Sequence, residues 1–112
     1  MVEMKSSKVD FIFGVGRDRH NNPIKLHDLL VAIESVSRKA ATLFDRFLIS
    51  ESSLSKLECG EQIRQPAYII TVYVNSYFGA LGQVKQLRET IIAELSIENV
   101  SVIATEVEKH FV

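Results

Sequence analysis

Cysteine is nearly absent from this chain: Cys59 is the single one in 112 residues. An internal disulfide is therefore impossible. The neighbours of Cys59 are Glu58, Gly60 and Glu61. Acids disfavour a thiolate, so Cys59 reads as a spectator thiol near a turn. No apolar run approaches the roughly 20 residues that a membrane span needs. The opening MVEMKSSKVD has no apolar segment of signal-peptide length, so a cytoplasmic protein is expected. Charge of one sign is not in excess either. The formal net charge is −1, which argues against bulk electrostatic binding to nucleic acid. Two prolines and five glycines leave no Pro/Gly-rich linker, and there is no internal repeat. The expectation is one domain over residues 1–112.

Apolar residues make up 46% and charged residues 24%, the balance of a soluble globular protein. VDFIFGV (9–15) is β-branched and aromatic and ends at glycine, as a strand does. The period then changes. Leu26, Leu30, Ile33, Val36, Ala40, Leu43 and Phe47 recur at three- and four-residue steps, which predicts one face of a helix. Asn22 and Pro23 resemble its start signal, and its end is expected between Phe44 and Phe47. FLISESSLSKLE (47–58) fits an exposed, partly bulged strand, and CGEQIRQP the turn back, punctuated by Gly60 and Pro66. AYIITVYV (67–74) reads as a central strand. A second helix is predicted from Phe78 to Leu95, with Leu81, Val84, Leu87, Ile91 and Leu95 as its stripe and Ser76 or Asn75 as its cap. ENVSVIATEV (98–107) closes the chain as a strand.

The order β-α-β-β-α-β is the ferredoxin-like pattern, an α+β fold with an antiparallel sheet and two helices on one face. Phe11, Phe13, Ile70, Val72 and Val74 are not all expected to face the helices. The apolar surface left over implies a homo-oligomer, a dimer or trimer, joined by sheet faces or edge strands. The closing VEKHFV alternates Val107, Lys109 and Phe111 with Glu108 and His110, as an exchange strand would; a frayed tail is the alternative.

One place could hold chemistry. The first and third strands are expected to be adjacent and parallel, so that the loops after them share one end of the sheet. Arg17, Arg19, His20, Asn21 and Asn22 would then lie beside Asn75, Ser76, Tyr77, Gly79 and Gly82. The N-terminus of the second helix would point there too, and helix N-termini favour anions. Arginine forks match phosphate or carboxylate, and Tyr77 could stack on a ring. Gly79 and Gly82 weaken the helix start by roughly 1 kcal/mol each, which suggests a close backbone approach. GVGRDR is neither a dinucleotide fingerprint nor a phosphate-binding P-loop. A solvated Arg-Asp-Arg turn that pairs internally is the competing reading.

His20 could serve as an acid or base, or be merely exposed. His27 is placed on the polar side of the first helix and His110 in the tail. The three histidines lack metal-ligand spacing, so no metal and no cofactor is expected. SESSLS (50–55) has no nucleophile-elbow context, and Glu106 and Glu108 share a strand face that solvent is expected to reach.

FIFGVGRDRHNNPIKLHDLLVAI resembles the start of a branch of PII-like proteins of unknown function. Asp18, Arg19, His20 and Pro23 carry the likeness, and ENVSVIATEV is similar to that branch's closing strand. The likeness covers about a third of the chain. The family's glycines after the histidine are Asn21 and Asn22 here, and the glycine-rich segment leading to its long loop is not visible in 47–66. The resemblance implies a ferredoxin-like subunit, a trimeric tendency and ligand binding at subunit clefts, with no catalytic residue. Three functions remain open on the sequence: capture of a small anion such as a nucleotide; a protein-interaction module; and an enzyme using His20.

Overall fold

Val9, Phe11, Phe13 and Val15 alternate with Asp10, Ile12 and Gly14, the pattern of a strand with one buried face. In the computed structural model, which describes residues 2–111 and the side chains of residues 6–106, this stretch belongs to a much longer strand. The elements are β1 (Val2–Gly14), α1 (Leu26–Leu43), β2 (Phe47–Glu58), β3 (Glu61–Val74), a 3-10 turn (Phe78–Ala80), α2 (Leu81–Leu95) and β4 (Ser101–Phe111). The order is the expected ferredoxin-like one, and the four strands are arranged β2-β3-β1-β4.

Every pairing in this sheet is antiparallel. β1 and β3 are indeed adjacent, but they run in opposite directions, from Ser7↔Val74 to Gly14↔Ala67. The expectation of parallel central strands is therefore wrong. The reason is chain geometry: β2 turns directly back into β3, so β3 must oppose both β2 and the strand parallel to it, β1.

The core lies between one sheet face and the helices. Val9, Phe11 and Phe13 share it with Ile70 and Val72, all essentially fully buried, and Val74 packs against the same cluster. These apolar residues do all face the helices, because each set keeps one parity and the register matches them: Phe11↔Ile70 and Val9↔Val72. The open face instead carries Lys8, Asp10, Ile12, Ile69, Thr71 and Tyr73. The Thr71 hydroxyl donates to the Asp10 carboxylate there. Leu48 and Ile103 flank this face from β2 and β4, 62% and 49% exposed.

The predicted α1 stripe holds from Ile33 onward, where Val36 and Ala40 are buried and Ile33, Leu43 and Phe47 pack against the core, and departs only at its start. Leu29, Ala32, Val36 and Ala40 are the buried positions, whereas Leu26 and Leu30 are 70% and 54% exposed. A stripe at i, i+3, i+4 fits either choice, and the small alanines let α1 approach the sheet closely. Lys25 occupies the cap position, so Pro23 is part of the preceding loop and does not open the helix. In α2 the expected Val84, Leu87, Ile91 and Leu95 are buried, and Leu81 stays exposed. The helix N-terminus is preceded by the 3-10 turn, where the Ser76 hydroxyl accepts from the Gly79 N–H at 3.3 Å. Among the described residues no other part of the chain lies within 4 Å of where a Cβ on Gly82 would stand, so close packing does not explain it.

The segment 47–66 resolves into a hairpin. Cys59 and Gly60 alone form its turn, with φ of 52° and 80°, the double positive-φ geometry that twists with its strands. Glu61–Pro66 is strand, not turn. Because β1 leaves β3 at Gly14↔Ala67, the β2–β3 hairpin continues past it as a two-stranded arm. At the opposite end, residues 107–111 pair with residues 2–6. The backbone of the closing segment is thus a strand, and the proposed alternation of its side chains lies outside the described residues.

Two substitutions test the buried face of the sheet. Phe11→Ala should cost about 3–5 kcal/mol in a urea titration. Val72→Glu should prevent folding, since it buries a carboxylate with no partner. A folded Val72→Glu variant by circular dichroism would contradict this register.

Candidate functional site

The β1–α1 loop is a closed turn organised by one carboxylate. Asp18 accepts from the backbone N–H groups of His20 (2.9 Å) and Asn22 (3.0 Å). Its own N–H donates to the Asn22 carbonyl at 2.9 Å, and Asn21 N–H donates to the Asp18 carbonyl at 3.0 Å. Asn21 takes the left-handed conformation, φ 64°, which asparagine tolerates better than most residues. Arg17 Nη1 donates to the Asn21 carbonyl at 2.8 Å. The loop closes by a bridge between Arg17 and Pro23. Asp18 thus spends its acceptors on backbone amides, and the Arg17 fork turns to a carbonyl. The bond from the Asn22 N–H is the largest influence holding the Asp18 carboxyl below its ordinary 3.8; partial desolvation opposes it, and His20 and Arg19 add to the lowering.

Two neighbours flank this loop. The α2–β4 turn is tied to it by Arg19 N–H donating to the Ser96 carbonyl at 2.7 Å. Ser96 itself ends α2 in the left-handed conformation. The base of the β2–β3 arm is tied to it by Val15 N–H donating to the Pro66 carbonyl at 2.8 Å. Between them opens a cleft of about 470 Å³, reached by Arg17, Arg19, Asn21, Lys56, Gln65 and Asn99 among others. A second hollow of about 540 Å³ continues along the arm past Arg17 and Lys56 to Arg64. Gly14 forms part of the floor. A Cβ there would come within 2.8 Å of the Gln65 side chain, so glycine lets that amide lie against the strand.

Four cationic side chains, Arg17, Arg19, Lys56 and Arg64, border these two connected hollows. The acids beside them are Asp18, held by backbone amides, Glu58, paired with Lys56 at 3.7 Å, and Glu98. Such a setting can receive phosphate or carboxylate on the arginine forks, with Asn21, Gln65 and Asn99 as neutral partners.

Of the residues singled out from the sequence, the structure brings Arg17, Arg19 and Asn21 together. His20 is exposed and does not line the cleft. Asn75, Ser76, Tyr77, Gly79 and Gly82 follow β3 at the Ser7 end of β1, seven residue steps from Gly14, or roughly 24 Å. The two loops therefore do not form one corner. Tyr77 does not present a free ring: it packs on the core and lies edge-on to Phe78 at 5.9 Å. Arg64 and Gln65 were missed because 61–66 reads as a turn, and Lys56 because the place of the arm beside the loop is not visible in sequence. The one signal was Cys59–Gly60, a pair whose glycine suits a two-residue hairpin turn. Among the described residues no cluster of histidine, cysteine and acids could hold a metal, and no helix is long and apolar enough to cross a membrane.

No protein-family model and no curated protein matches the chain. Solved structures do. A phage SAM lyase in complex with S-methyl-5'-thioadenosine is 14% identical, with a TM-score of 0.56 over 90% of this chain and 81% of that one. The B. subtilis GlnK-ATP complex is 14% identical, with a TM-score of 0.56 over 92% and 82%. CutA1 from Oryza sativa is 14% identical, with a TM-score of 0.54 over 96% and 84%. The chain thus has the PII/CutA type of ferredoxin-like fold.

The lowered Asp18 pKa sets a pH dependence. A carboxylate held down in the folded state favours folding above its unfolded pKa, and that contribution is lost as pH falls through the folded value. Acid titration followed by amide NMR should therefore shift His20 and Asn22 with a midpoint below 3.8, and Asp18→Ala should remove the transition.

Proposed function

We propose that this protein captures a small anionic ligand of the nucleotide class, without turning it over, in the cleft between the β1–α1 loop, the α2–β4 turn and the base of the β2–β3 arm. The observation that carries this reading is the convergence of Arg17, Arg19, Lys56 and Arg64 around connected hollows while Asp18 is engaged by backbone amides. The size of each hollow suits an organic ligand, since small-molecule sites start at about 300 Å³. The GlnK and SAM lyase structures support the class, because both hold adenine compounds on this fold. Capture is favoured over catalysis because, among the described residues, neither histidine nor cysteine lines the cleft. The His20 enzyme reading loses its geometry for the same reason.

The open sheet face favours self-association alongside ligand capture. Ile12 pairs with Ile69 near the cleft end of this face, and two residues along Leu48 and Ile103 stand to either side of the hydrogen-bonded Thr71–Asp10 pair. A second copy of the chain is the occupant proposed for this face; an adaptor role with a different protein would use the same residues.

Titration calorimetry with ATP tests the cleft. Arg17→Ala, Arg19→Ala and Lys56→Ala should each weaken ATP at least about tenfold, the loss expected for a charge-assisted contact, with unchanged circular dichroism. Wild-type protein that shows no saturable binding of ATP, or three variants that bind it normally, would sink the reading. For the sheet face, native mass spectrometry should show a homo-oligomer that Ile69→Glu dissociates into folded monomers.

A further inference from the structure

Gln65 borders both hollows of the cationic cleft, and its amide lies flat against the end of β1. A Cβ on Gly14 would stand 2.8 Å from Gln65 Nε2 and 2.9 Å from both Cδ and Oε1. Near-equal distances to all three atoms mean that Gly14 meets the face of the amide and not its edge. Gly16 stands alongside: a Cβ there would lie 3.6 Å from Gln65 Cβ and Oε1. The backbone is constrained as well, because Pro66 follows, and a residue before proline is confined to extended geometry. The Gln65 side chain is half-buried and makes no hydrogen bond among the described residues. Packing thus fixes an amide whose Nε2 donor and Oε1 acceptor stand side by side, both unengaged. Leu54, paired across the hairpin with Gln65, and Ile12 are half-buried and give the same hollow apolar surface.

We propose that Gln65 determines the specificity of the cleft: its amide reads the edge of a nucleobase, and Gly14 is the positioning residue that holds it ready. This assignment rests on the nucleotide capture proposed above and adds to it which residue tells a nucleotide from bare phosphate. Arg17, Lys56 and Arg64 offer charged donors to phosphate. A neutral amide adds little there, since its oxygen is an acceptor that phosphate oxygens repel. What matches it is a planar group with a donor next to an acceptor. Glutamine pairs in this bidentate way with the amino group and ring nitrogen of adenine. Leu54 and Ile12 supply the apolar lining that a ring needs. An amide already held in place loses little rotamer freedom on binding, which is what the missing Cβ of Gly14 provides.

Titration calorimetry of the intact chain with ATP and with inorganic tripolyphosphate separates base from phosphate. Tripolyphosphate carries the charge without the base, so it reports on the cations alone. Gln65→Met keeps the length of the side chain and removes both polar atoms. It should weaken ATP about tenfold, the loss expected for two neutral hydrogen bonds, and change tripolyphosphate less than about twofold. Purine riboside triphosphate, which lacks the 6-amino donor, should bind the wild type about fivefold more weakly than ATP and should equal ATP on Gln65→Met. Gly14→Ala should weaken ATP and spare tripolyphosphate. The double variant should bind ATP no more weakly than Gln65→Met alone, because the added Cβ acts only through the amide. Should Gly14→Ala fail to fold by circular dichroism, Gln65→Met and purine riboside triphosphate still decide. Base reading is overturned if Gln65→Met binds ATP as the wild type does, if it weakens tripolyphosphate as much as ATP, or if purine riboside triphosphate matches ATP on the wild type. Additive losses in the double variant overturn the positioning role of Gly14. A wild type that binds ATP and tripolyphosphate equally keeps anion capture and loses base reading; one that binds neither overturns both.

Discussion

The antiparallel pairing of β1 with β3 governs the rest of the molecule. It aligns Phe11 with Ile70 and Val9 with Val72, so the largest buried side chains meet on one face of the sheet. A one-residue slip would turn every one of them to the opposite face. The same pairing decides which loops are neighbours. With β1 and β3 opposed, the loop leaving β1 meets the loop that enters β4 and the hairpin that enters β3. The loop leaving β3 is sent to the other end. Core packing and the location of the cationic cleft are thus two results of one register.

The local elements were legible in the residues, because each strand and helix announces its own period. Phe11 and Phe13 lie two apart, as do Ile70 and Val72, and helix α2 shows its stripe at Val84, Leu87, Ile91 and Leu95. Direction lies in the connections and not in VDFIFGV or AYIITVYV, since side-chain alternation is identical in parallel and antiparallel pairs. The turn back after 47–58 opposes β3 to β2, and with it to β1, so the parallel placement of β1 and β3 was an error in following the connections. Reading Glu61–Pro66 as loop kept Arg64 and Gln65 out of the candidate site.

The loop itself illustrates a second limit. Arg17, Asp18 and Arg19 suggest internal ion pairing by adjacency alone. The folded loop uses Asp18 otherwise, as an acceptor for two backbone amides. A short acid in a tight turn reaches its own main chain more readily than a flexible guanidinium. The buried Ser6 hydroxyl is a third case. One serine among many gives no sign in sequence that it will have no hydrogen-bond partner among the described residues; only the surroundings of its strand show that.

The β2–β3 arm extends beyond the last residue that β1 can pair with, Gly14, and its tip is fully solvent-facing. Two strands with no third neighbour and no core add little to global stability. The tip is therefore the position at which the chain can change length most cheaply. Enlarging a flexible turn costs only about 0.6 kcal/mol per doubling of its length. Residues added between Cys59 and Gly60 would leave the ladder from Phe47↔Val72 to Glu51↔Tyr68 intact. The arm thus separates two evolutionary demands: its base must keep its register to hold the cleft, while its end is free to acquire new sequence, and with it new surfaces, without renegotiating the fold.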